Sequence, residues 1–172
     1  MGMHYTSVQN IMKVIEPLFL TELREEFEKN RKSQKKLEEL LQRLTQLNVF
    51  DPACGSGNFL IIAYKEIRKL EMDILNQLYE LNRQADFGLS AIQLSQFYGI
   101  ELDDFAHEVA ILSMWLAEHQ MNLVFLSKFG RASPTLPLKP SGNIVCANAT
   151  VVDWEDVCPR SDKKTVYLLG NP

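Results

Sequence analysis

The fold is decided by one stretch, which reads NVFDPACGSGNFLII at residues 48–62. Val49 and Phe50 are apolar and β-prone, and they predict the end of a buried strand. Asp51 and Pro52 are expected to stop this strand, because proline has no N–H group with which to continue a ladder. The stretch therefore begins as a strand that ends in a polar turn.

A glycine-rich turn and a helix follow this strand. Gly55 and Gly57 allow the backbone to turn tightly and to come close to a bound molecule. From Phe59 onward a helix is predicted, because apolar residues recur at steps of three or four positions. These residues are Leu60, Ala63, Ile67, Leu70, Ile74, Leu78 and Leu81. A strand, a glycine-rich turn and a helix start form the front half of a nucleotide-type site, since the first N–H groups of the helix point at the ligand.

The composition is that of a globular protein with one sizeable core. The chain has 172 residues, of which 46% are hydrophobic and 23% are charged. No apolar run reaches the roughly 18 residues that span a bilayer, and the N-terminus has no signal-peptide pattern, so a cytoplasmic location is expected. Cys54, Cys146 and Cys158 lack Cys-x-x-Cys spacing, which argues against a disulfide framework and a zinc site. No metal site is predicted.

The net charge of −4 limits how the chain can hold nucleic acid. A protein that grips duplex DNA alone normally presents a basic face, because the neutralisation of phosphates supplies most of the affinity. The acidic balance of this chain does not favour such a face. A DNA-binding function would therefore depend mainly on other regions of the protein.

Strand and helix patterns alternate along the rest of the chain. Three further strands are predicted at residues 97–101, 143–148 and 165–169. Together with the helices between them, they predict an α/β fold with a Rossmann-like three-layer arrangement and a mostly parallel sheet. Residues 1–46 are predicted to form an N-terminal helical segment, and residues 47–172 the part that contains the sheet.

The sequence also predicts where the first helix ends and where the helix after Glu101 begins. Pro17 is expected to end or kink the first helix, because its ring clashes with the preceding turn. After Glu101 a helix is predicted to begin at Asp103 and Asp104, where the helix dipole favours acids. Its core-facing stripe is predicted to consist of Phe105, Val109, Leu112, Trp115, Leu116 and His119. His107 lacks metal-ligand partners at suitable spacing and is interpreted as structural.

The string DPACGSGNFL, from Asp51 to Leu60, resembles the cofactor-binding motif of S-adenosylmethionine-dependent DNA methyltransferases of the amino-group class. Within that class, it resembles type IIG, MmeI-like restriction-modification proteins, which join a methyltransferase and an endonuclease in one polypeptide. The resemblance implies the class I methyltransferase fold and S-adenosylmethionine as cofactor. It implies cofactor contacts from Asp51, Pro52, Ala53, Cys54, Gly55, Gly57, Asn58 and Phe59. Tyr5 and Thr6 resemble the family's Tyr-Thr pair, which contacts the methionine end of the cofactor.

The ends of the second and third predicted strands supply the remaining expected contacts with the cofactor. Glu101 stands at a strand end, where a carboxylate can accept hydrogen bonds from both ribose hydroxyls. Leu102 is the apolar residue that is expected to cover a face of the adenine ring. Asn148 and Ala149 resemble the family's third contact, in which a side-chain oxygen and the following backbone N–H read the adenine edge.

Asn171 and Pro172 follow the fourth predicted strand and resemble the first half of the Asn-Pro-Pro-aromatic motif of adenine-N6 methyltransferases. They are the predicted catalytic residues. The Asn171 side-chain oxygen and the Pro172 carbonyl would accept both N–H groups of the target amine and help to localise its lone pair. A duplex hides this nitrogen, so the base has to be flipped into the pocket.

The resemblance implies a site-specific DNA methyltransferase that transfers a methyl group from S-adenosylmethionine to adenine N6, as part of a restriction-modification protein. Its motif elements follow the family order and span nearly the whole chain. The 172 residues are therefore expected to be the cofactor-binding portion of a longer protein and to be inactive alone. Duplex DNA with a flipped adenine is the expected partner, held mainly by regions outside the chain.

Three alternatives stay open. Related proline motifs also serve the methylation of cytosine N4 or of a protein glutamine amide. A dinucleotide-binding dehydrogenase is disfavoured, because Leu60 stands where the G-x-G-x-x-G fingerprint has its third glycine. A non-catalytic nucleotide-binding interaction module that keeps the same fold is the remaining alternative.

Overall fold

Four strands form one parallel sheet in the computed structural model, which describes residues 7–83, 88–131 and 143–171. The strands, in the spatial order β3-β2-β1-β4, are β1 (Leu47–Asp51), β2 (Phe97–Glu101), β3 (Asn143–Cys146) and β4 (Thr165–Leu168). The helices are α1 (Val8–Ile15), α2 (Thr21–Asn30), α3 (Gln34–Thr45), α4 (Asn58–Leu81), α5 (Asp104–Phe129) and α6 (Trp154–Val157). The predicted α/β fold with a parallel sheet is confirmed.

β1 lies at the centre of the packing. All of its residues are buried, as expected of a parallel strand that is covered on both faces. A smaller apolar cluster on one side of the sheet includes Phe50, Ile100 and Val157 of α6. Asp51, which was predicted to stop the strand, is its last residue and pairs with Gly99 of β2. The strand therefore ends with its carboxylate at the edge of the sheet.

The N-terminal helices pack into the same core as the sheet. Ile15 of α1 and Leu44 of α3 are fully buried in one cluster with Val49 of β1. The α-helix α1 ends at Ile15, and a π-helical turn at Glu16–Leu20, with Pro17 near its start, carries the chain from α1 directly into α2. Such a turn is a known way to accommodate a disturbance of the helix hydrogen-bond ladder. The functional division of the chain at residue 46 stays a prediction, while the apolar packing is continuous across it.

α5 buries a different face from the predicted one, and this prediction was wrong. Phe105, Leu112, Leu116 and His119 are exposed, while Val109 and Trp115 are half-buried. The buried residues are Ala106, Ala110, Met114, Ala117, Met121, Asn122 and Phe125. Small side chains on this face let α5 approach the glycine-rich turn, where a Cβ at Gly57 would lie 3.4 Å from the Ala110 Cβ. The larger residues therefore face away from the sheet.

The length and composition of α5 also meet the criterion for a membrane-crossing helix, which core helices of soluble proteins meet as well. Of its most apolar window, 33% is buried inside the molecule. The helix contacts α4, β2 and β3 through its inner face.

A buried ionic cluster ties α4 to α5. Arg68 is 1% exposed, donates to Asn122 Oδ1 at 3.1 Å and pairs with Glu71, with 3.2 Å between Nε and Oε2. Glu71 also accepts hydrogen bonds from Ser90 Oγ at 2.6 Å and from the Ala91 N–H at 2.7 Å. Because a buried charge is tolerated only when it is paired and hydrogen-bonded, this cluster fixes the chain after α4 against both helices.

Candidate cofactor-binding site

The carboxyl ends of the parallel strands meet at one edge of the sheet. β1 ends at Asp51, β2 ends at Glu101, and β4 leads into Asn171. The Leu169 N–H donates to the Phe50 carbonyl at 3.0 Å, which holds the residues after β4 beside the end of β1. In open parallel sheets, ligands bind in the crevice outside these carboxyl ends. The fold thus brings together the ends of strands that carry predicted site residues.

The Glu101 carboxylate connects β2 to the glycine-rich turn. Its Oε2 accepts a hydrogen bond from the Gly55 N–H at 2.8 Å, and its Oε1 accepts one from the Asp103 N–H at 2.8 Å. The Cys54 N–H donates to the Ile100 carbonyl at 3.0 Å and adds a second tie between the same two segments. Because each carboxylate oxygen can accept two hydrogen bonds, Glu101 can fix the turn and still accept from a ligand hydroxyl.

Both glycines of the turn have a positive φ, a conformation that favours glycine. Gly55 has a φ of +55°, and a Cβ at this position would find no atom within 4 Å, so the turn opens onto unfilled space there. Gly57 has a φ of +83° and is the N-cap of α4, where it has no side chain to cap the first-turn N–H groups. Pro52 and Asn58 flank the glycines and are half-buried. The turn can therefore present backbone N–H groups to an electron-rich ligand.

Asp51 is a buried acid at the centre of this edge. Its Oδ1 accepts a hydrogen bond from the Ala53 N–H at 3.0 Å. Burial, and to a lesser extent the negative charge of Glu101, raises the pKa of Asp51 to about 7. A cationic group placed near this carboxyl would favour its ionised form. The site is therefore electrostatically suited to a ligand that carries a positive charge.

The Cys54 side chain fills space between the turn and β2. It is buried, and a Cβ at Gly99 would lie 2.9 Å from its Sγ. Burial raises the pKa of the thiol to about 12, with smaller contributions from the charges of Asp51 and Glu101. A thiol with this pKa stays neutral and is a poor nucleophile.

Asn148 begins a turn immediately after β3. Its Oδ1 accepts hydrogen bonds from the Thr150 N–H at 2.9 Å and from the Thr150 Oγ1 at 2.7 Å. The Ala147 N–H donates to the Glu101 carbonyl at 2.9 Å, so this turn lies next to the end of β2. The Ala149 carbonyl accepts from Trp154 Nε1 at 2.7 Å. Thr150, which was not among the predicted site residues, holds the Asn148 side chain, and its place in an Asn-x-Thr turn was a readable signal.

Two apolar side chains stand exposed at the start of α5. Leu102 is 68% exposed and Phe105 is 70% exposed. Leu102 was predicted to cover an adenine ring, and its exposure leaves it available for such a contact. Phe105 was assigned to the core by helical spacing, so its availability was missed. The sequence carried no signal for it, since the choice depends on which face α5 turns to the sheet.

Some predicted site residues are not brought to the surface of this edge. Phe59 is buried in the core, so only its backbone is suited to a ligand contact, whereas Ala53 is exposed. Tyr5, Thr6 and Pro172 lie outside the described residues, and their roles stay predictions.

One group of possible metal-ligating atoms was not predicted. Asp104, His107 and Glu108 place ligand atoms within 4.8 Å of one another at the start of α5. The His107 Nε2 lies 3.2 Å from the Ile144 carbonyl oxygen, which ties this ring to β3. Exposed acids at a helix start are explained by the helix dipole without a metal.

Comparison with known proteins gives matches along nearly the whole chain. The family model for the MmeI DNA-methyltransferase domain matches residues 27–172. The chain is 53% identical over its whole length to DNA methyltransferase A of Bacillus subtilis (strain 168), of which it covers 20%. It is 34% identical, over 70% of its length, to a putative type II restriction enzyme and methyltransferase of Methanocaldococcus jannaschii, of which it covers 10%.

A solved structure is also similar to this chain. It is the type IIL restriction-modification enzyme MmeI in complex with DNA, with a TM-score of 0.87 and 42% sequence identity. The match covers 98% of this chain and 23% of the MmeI chain. The chain therefore spans about a quarter or less of the length of each of these relatives.

Proposed function

We propose that this chain, which belongs to the MmeI DNA-methyltransferase family, is the cofactor-binding part of a protein that transfers a methyl group from S-adenosylmethionine to adenine N6 in DNA. The observation that carries the proposal is the Glu101 carboxylate, which is bound to the glycine-rich turn at Gly55 and retains acceptor capacity for a ribose. A role in restriction-modification and a cytoplasmic location are parts of the same proposal.

The residues at the carboxyl edge of the sheet fit such a cofactor. Glu101 would accept hydrogen bonds from the ribose hydroxyls, and Leu102 would cover a face of the adenine. Asn148 would accept from the adenine amino group, in place of or beside the Thr150 hydroxyl that it now holds. The buried acid Asp51 would lie near the positively charged end. When bound, S-adenosylmethionine supplies an electrophilic methyl group on a sulfonium centre.

Asn171 is the proposed catalytic side chain. It is exposed and follows β4 at the same edge as Asp51. With Pro172, it would accept both N–H groups of the target amine and help to localise the lone pair of its nitrogen, to which S-adenosylmethionine would supply the methyl group, with release of S-adenosylhomocysteine and of one amine proton. The adenine would have to be flipped out of the duplex to reach this position. The net charge of −4 supports the view that most phosphate contacts come from other regions of the polypeptide.

Calorimetric titration of the chain tests the cofactor assignment. S-adenosylmethionine and S-adenosylhomocysteine are expected to bind, and NAD far more weakly. Equal or better affinity for NAD would falsify the assignment and favour a dehydrogenase-type domain.

The identity of the methylated product distinguishes adenine N6 from the alternative methyl acceptors. The full-length gene product that contains these residues is incubated with duplex DNA and labelled cofactor, and the DNA is then digested to nucleosides. N6-methyl-2′-deoxyadenosine is the expected product. N4-methyl-2′-deoxycytidine, or label found only in protein, would replace the proposed substrate with one of the two alternatives.

A further inference from the structure

The outer face of α5 carries an apolar seam with coiled-coil spacing. Seven residues follow one another at alternating steps of four and three positions: Phe105, Val109, Leu112, Leu116, His119, Leu123 and Leu126. We call this set the α5 seam. Its leucines are well exposed, at 54% for Leu112, 45% for Leu116, 53% for Leu123 and 44% for Leu126. Six of the seven residues are apolar, although the seam faces away from the sheet.

This spacing is that of a surface which packs against another helix. Apolar residues that repeat every 3.5 positions keep facing one partner helix along the whole contact. The inner face of α5 is already covered, because its residues from Ala106 to Phe125 include the buried ones and Ala110 lies against Gly57 of the glycine-rich turn. Contiguous exposed apolar surface of this kind marks interaction sites in soluble proteins. The α5 seam is therefore a second packing face, in addition to the one that the sheet covers.

The charges around the seam restrict what can cover it. The seam contains no Lys, Arg, Asp or Glu, so it offers nothing with which to neutralise phosphates. The flanking positions on one side are Ala106, Ser113, Gln120 and Ser127, and on the other Glu108, Trp115, Asn122 and Phe129. Only one of these eight is charged, whereas helices that pair as separate chains usually use charged flanking positions to select a partner and an orientation.

We propose that the α5 seam is the docking surface for an amphipathic helix contributed by the same polypeptide from outside residues 1–172. The relatives reported above have about three quarters or more of their length outside the matched part, so they contain ample sequence for such a helix. A tethered helix needs no charged flanks to find its partner, since the tether supplies a high effective concentration. The seam thus fastens the methyltransferase part to another part of the protein.

Site-specific photo-cross-linking in the full-length gene product tests this proposal. The photoreactive residue p-benzoylphenylalanine replaces Leu116 in one protein and Leu123 in another. A matched control carries it at Val124, which is 40% exposed on the same helix but points about a quarter turn away from the seam. Cross-linked peptides are then identified by mass spectrometry over a range of protein concentrations.

The expected result is that positions 116 and 123 cross-link to one helical peptide outside residues 1–172, within a single copy and at a yield independent of concentration. Position 124 should give little of this product. Cross-links between two copies of α5, cross-links to bound DNA or lipid, or equal yields from all three positions would each overturn the proposal.

Hydrogen exchange of the same full-length protein gives a second readout. Leu116→Glu combined with Leu123→Glu should accelerate exchange in the docked peptide by about tenfold or more, because a carboxylate cannot be buried in the seam without a partner. Val124→Glu should change it less than about twofold. Equal effects of the two changes would contradict the proposal, and the cross-linking result stands even if the double variant fails to fold.

Discussion

Asp51 and Gly170 lie so close together that no side chain fits at Gly170. A Cβ at this position would lie 2.5 Å from Asp51 Oδ1 and 3.2 Å from its Cγ. The backbone of Gly170 has a φ of +148°, which L side chains rarely adopt. Because Gly170 directly precedes Asn171, this contact couples the acid of the candidate cofactor site to the candidate catalytic residue.

Gly170→Ala is therefore expected to displace both Asp51 in the candidate cofactor site and the candidate catalytic residue Asn171. The new methyl group would push Asp51 or the end of β4 out of place, at a cost of about 1–3 kcal/mol in the free energy of unfolding. Gly130→Ala is the control, since Gly130 also has a positive φ, of +70°, but a Cβ there meets no atom within 4 Å. Denaturant unfolding and cofactor titration measure both effects. Equal losses for the two variants would show that conformation alone, and not the contact with Asp51, matters.

The Cys54 side chain leaves no room for a side chain at Gly99. A Cβ at Gly99 would lie 2.9 Å from Cys54 Sγ and 3.2 Å from Leu60 Cδ1, inside a buried and closely packed region. Gly99→Ala should therefore destabilise the protein by about 1–3 kcal/mol. Cys54→Ala removes the sulfur atom, so the double variant should cost less than the sum of the two single variants. Strictly additive losses in denaturant unfolding would rule out this steric account.

Local sequence chemistry was sufficient to predict most of the fold. The helix α4 begins at Asn58, one residue before its predicted start, because Gly57 in a left-handed conformation marks the turn. β2 has its predicted bounds, and Asp103 caps α5 by accepting from the Ala106 N–H at 2.8 Å. These features depend on residues within a few positions of one another, which a sequence displays directly.

The sequence does not predict which face of α5 is buried, and the reason is physical. Its apolar residues lie on all sides, so the helical period does not decide which face is buried. The choice is made by the approach of Ala110 to Gly57, two residues far apart in the chain. The contact between Asp51 and Gly170 and the raised pKa of Asp51 likewise depend on strands that are adjacent only in the folded sheet.

The raised pKa of Asp51 predicts how stability changes with pH. Below the ordinary pKa of an aspartate, 3.8, the carboxyl is protonated in both the folded and the unfolded chain. As the pH rises from there to about 7, the unfolded chain ionises while the folded one resists. The folded state therefore binds more protons in this window, and stability falls as the pH rises.

Asp51→Asn should remove this fall, because the amide oxygen can still accept from the Ala53 N–H but does not ionise. The free energy of unfolding of the variant minus that of the parent should grow by up to roughly 4 kcal/mol from the low-pH end of the window to the high-pH end. Asp153→Asn is a matched control, since Asp153 accepts from the Glu155 N–H at 2.9 Å in the same local geometry but is exposed. Denaturant midpoints at several pH values measure the slope. A parent protein whose slope is unchanged by Asp51→Asn would contradict the assignment.

Glu101 is expected to dominate the affinity for the cofactor. Glu101→Ala removes the acceptor for the ribose and also the hydrogen bond to the Gly55 N–H. The free energy of cofactor binding should therefore weaken by on the order of 1.5–3 kcal/mol, which is about tenfold or more in affinity. Glu101→Gln keeps one oxygen acceptor and should lose less. Asp104→Ala, which removes only a charge at the start of α5, should cost less than about 1 kcal/mol. If all three variants bind S-adenosylhomocysteine like the parent in calorimetry, the candidate site is misplaced.

Asn171→Ala separates catalysis from cofactor binding. Asn171 is exposed beyond Gly170, and in the proposed function its side-chain oxygen accepts from the target amine and not from the cofactor. In the full-length gene product the change should abolish methyl transfer to duplex DNA while it leaves the affinity for S-adenosylhomocysteine within about twofold. Asn143→Ala is the control, because its side chain donates to the Ser95 carbonyl at 2.9 Å near the opposite end of the sheet. Radiolabelled methyl incorporation and calorimetry give the two readouts. Transfer that survives Asn171→Ala would move the catalytic role to another residue, and a parallel loss of cofactor affinity would make Asn171 part of the cofactor pocket instead.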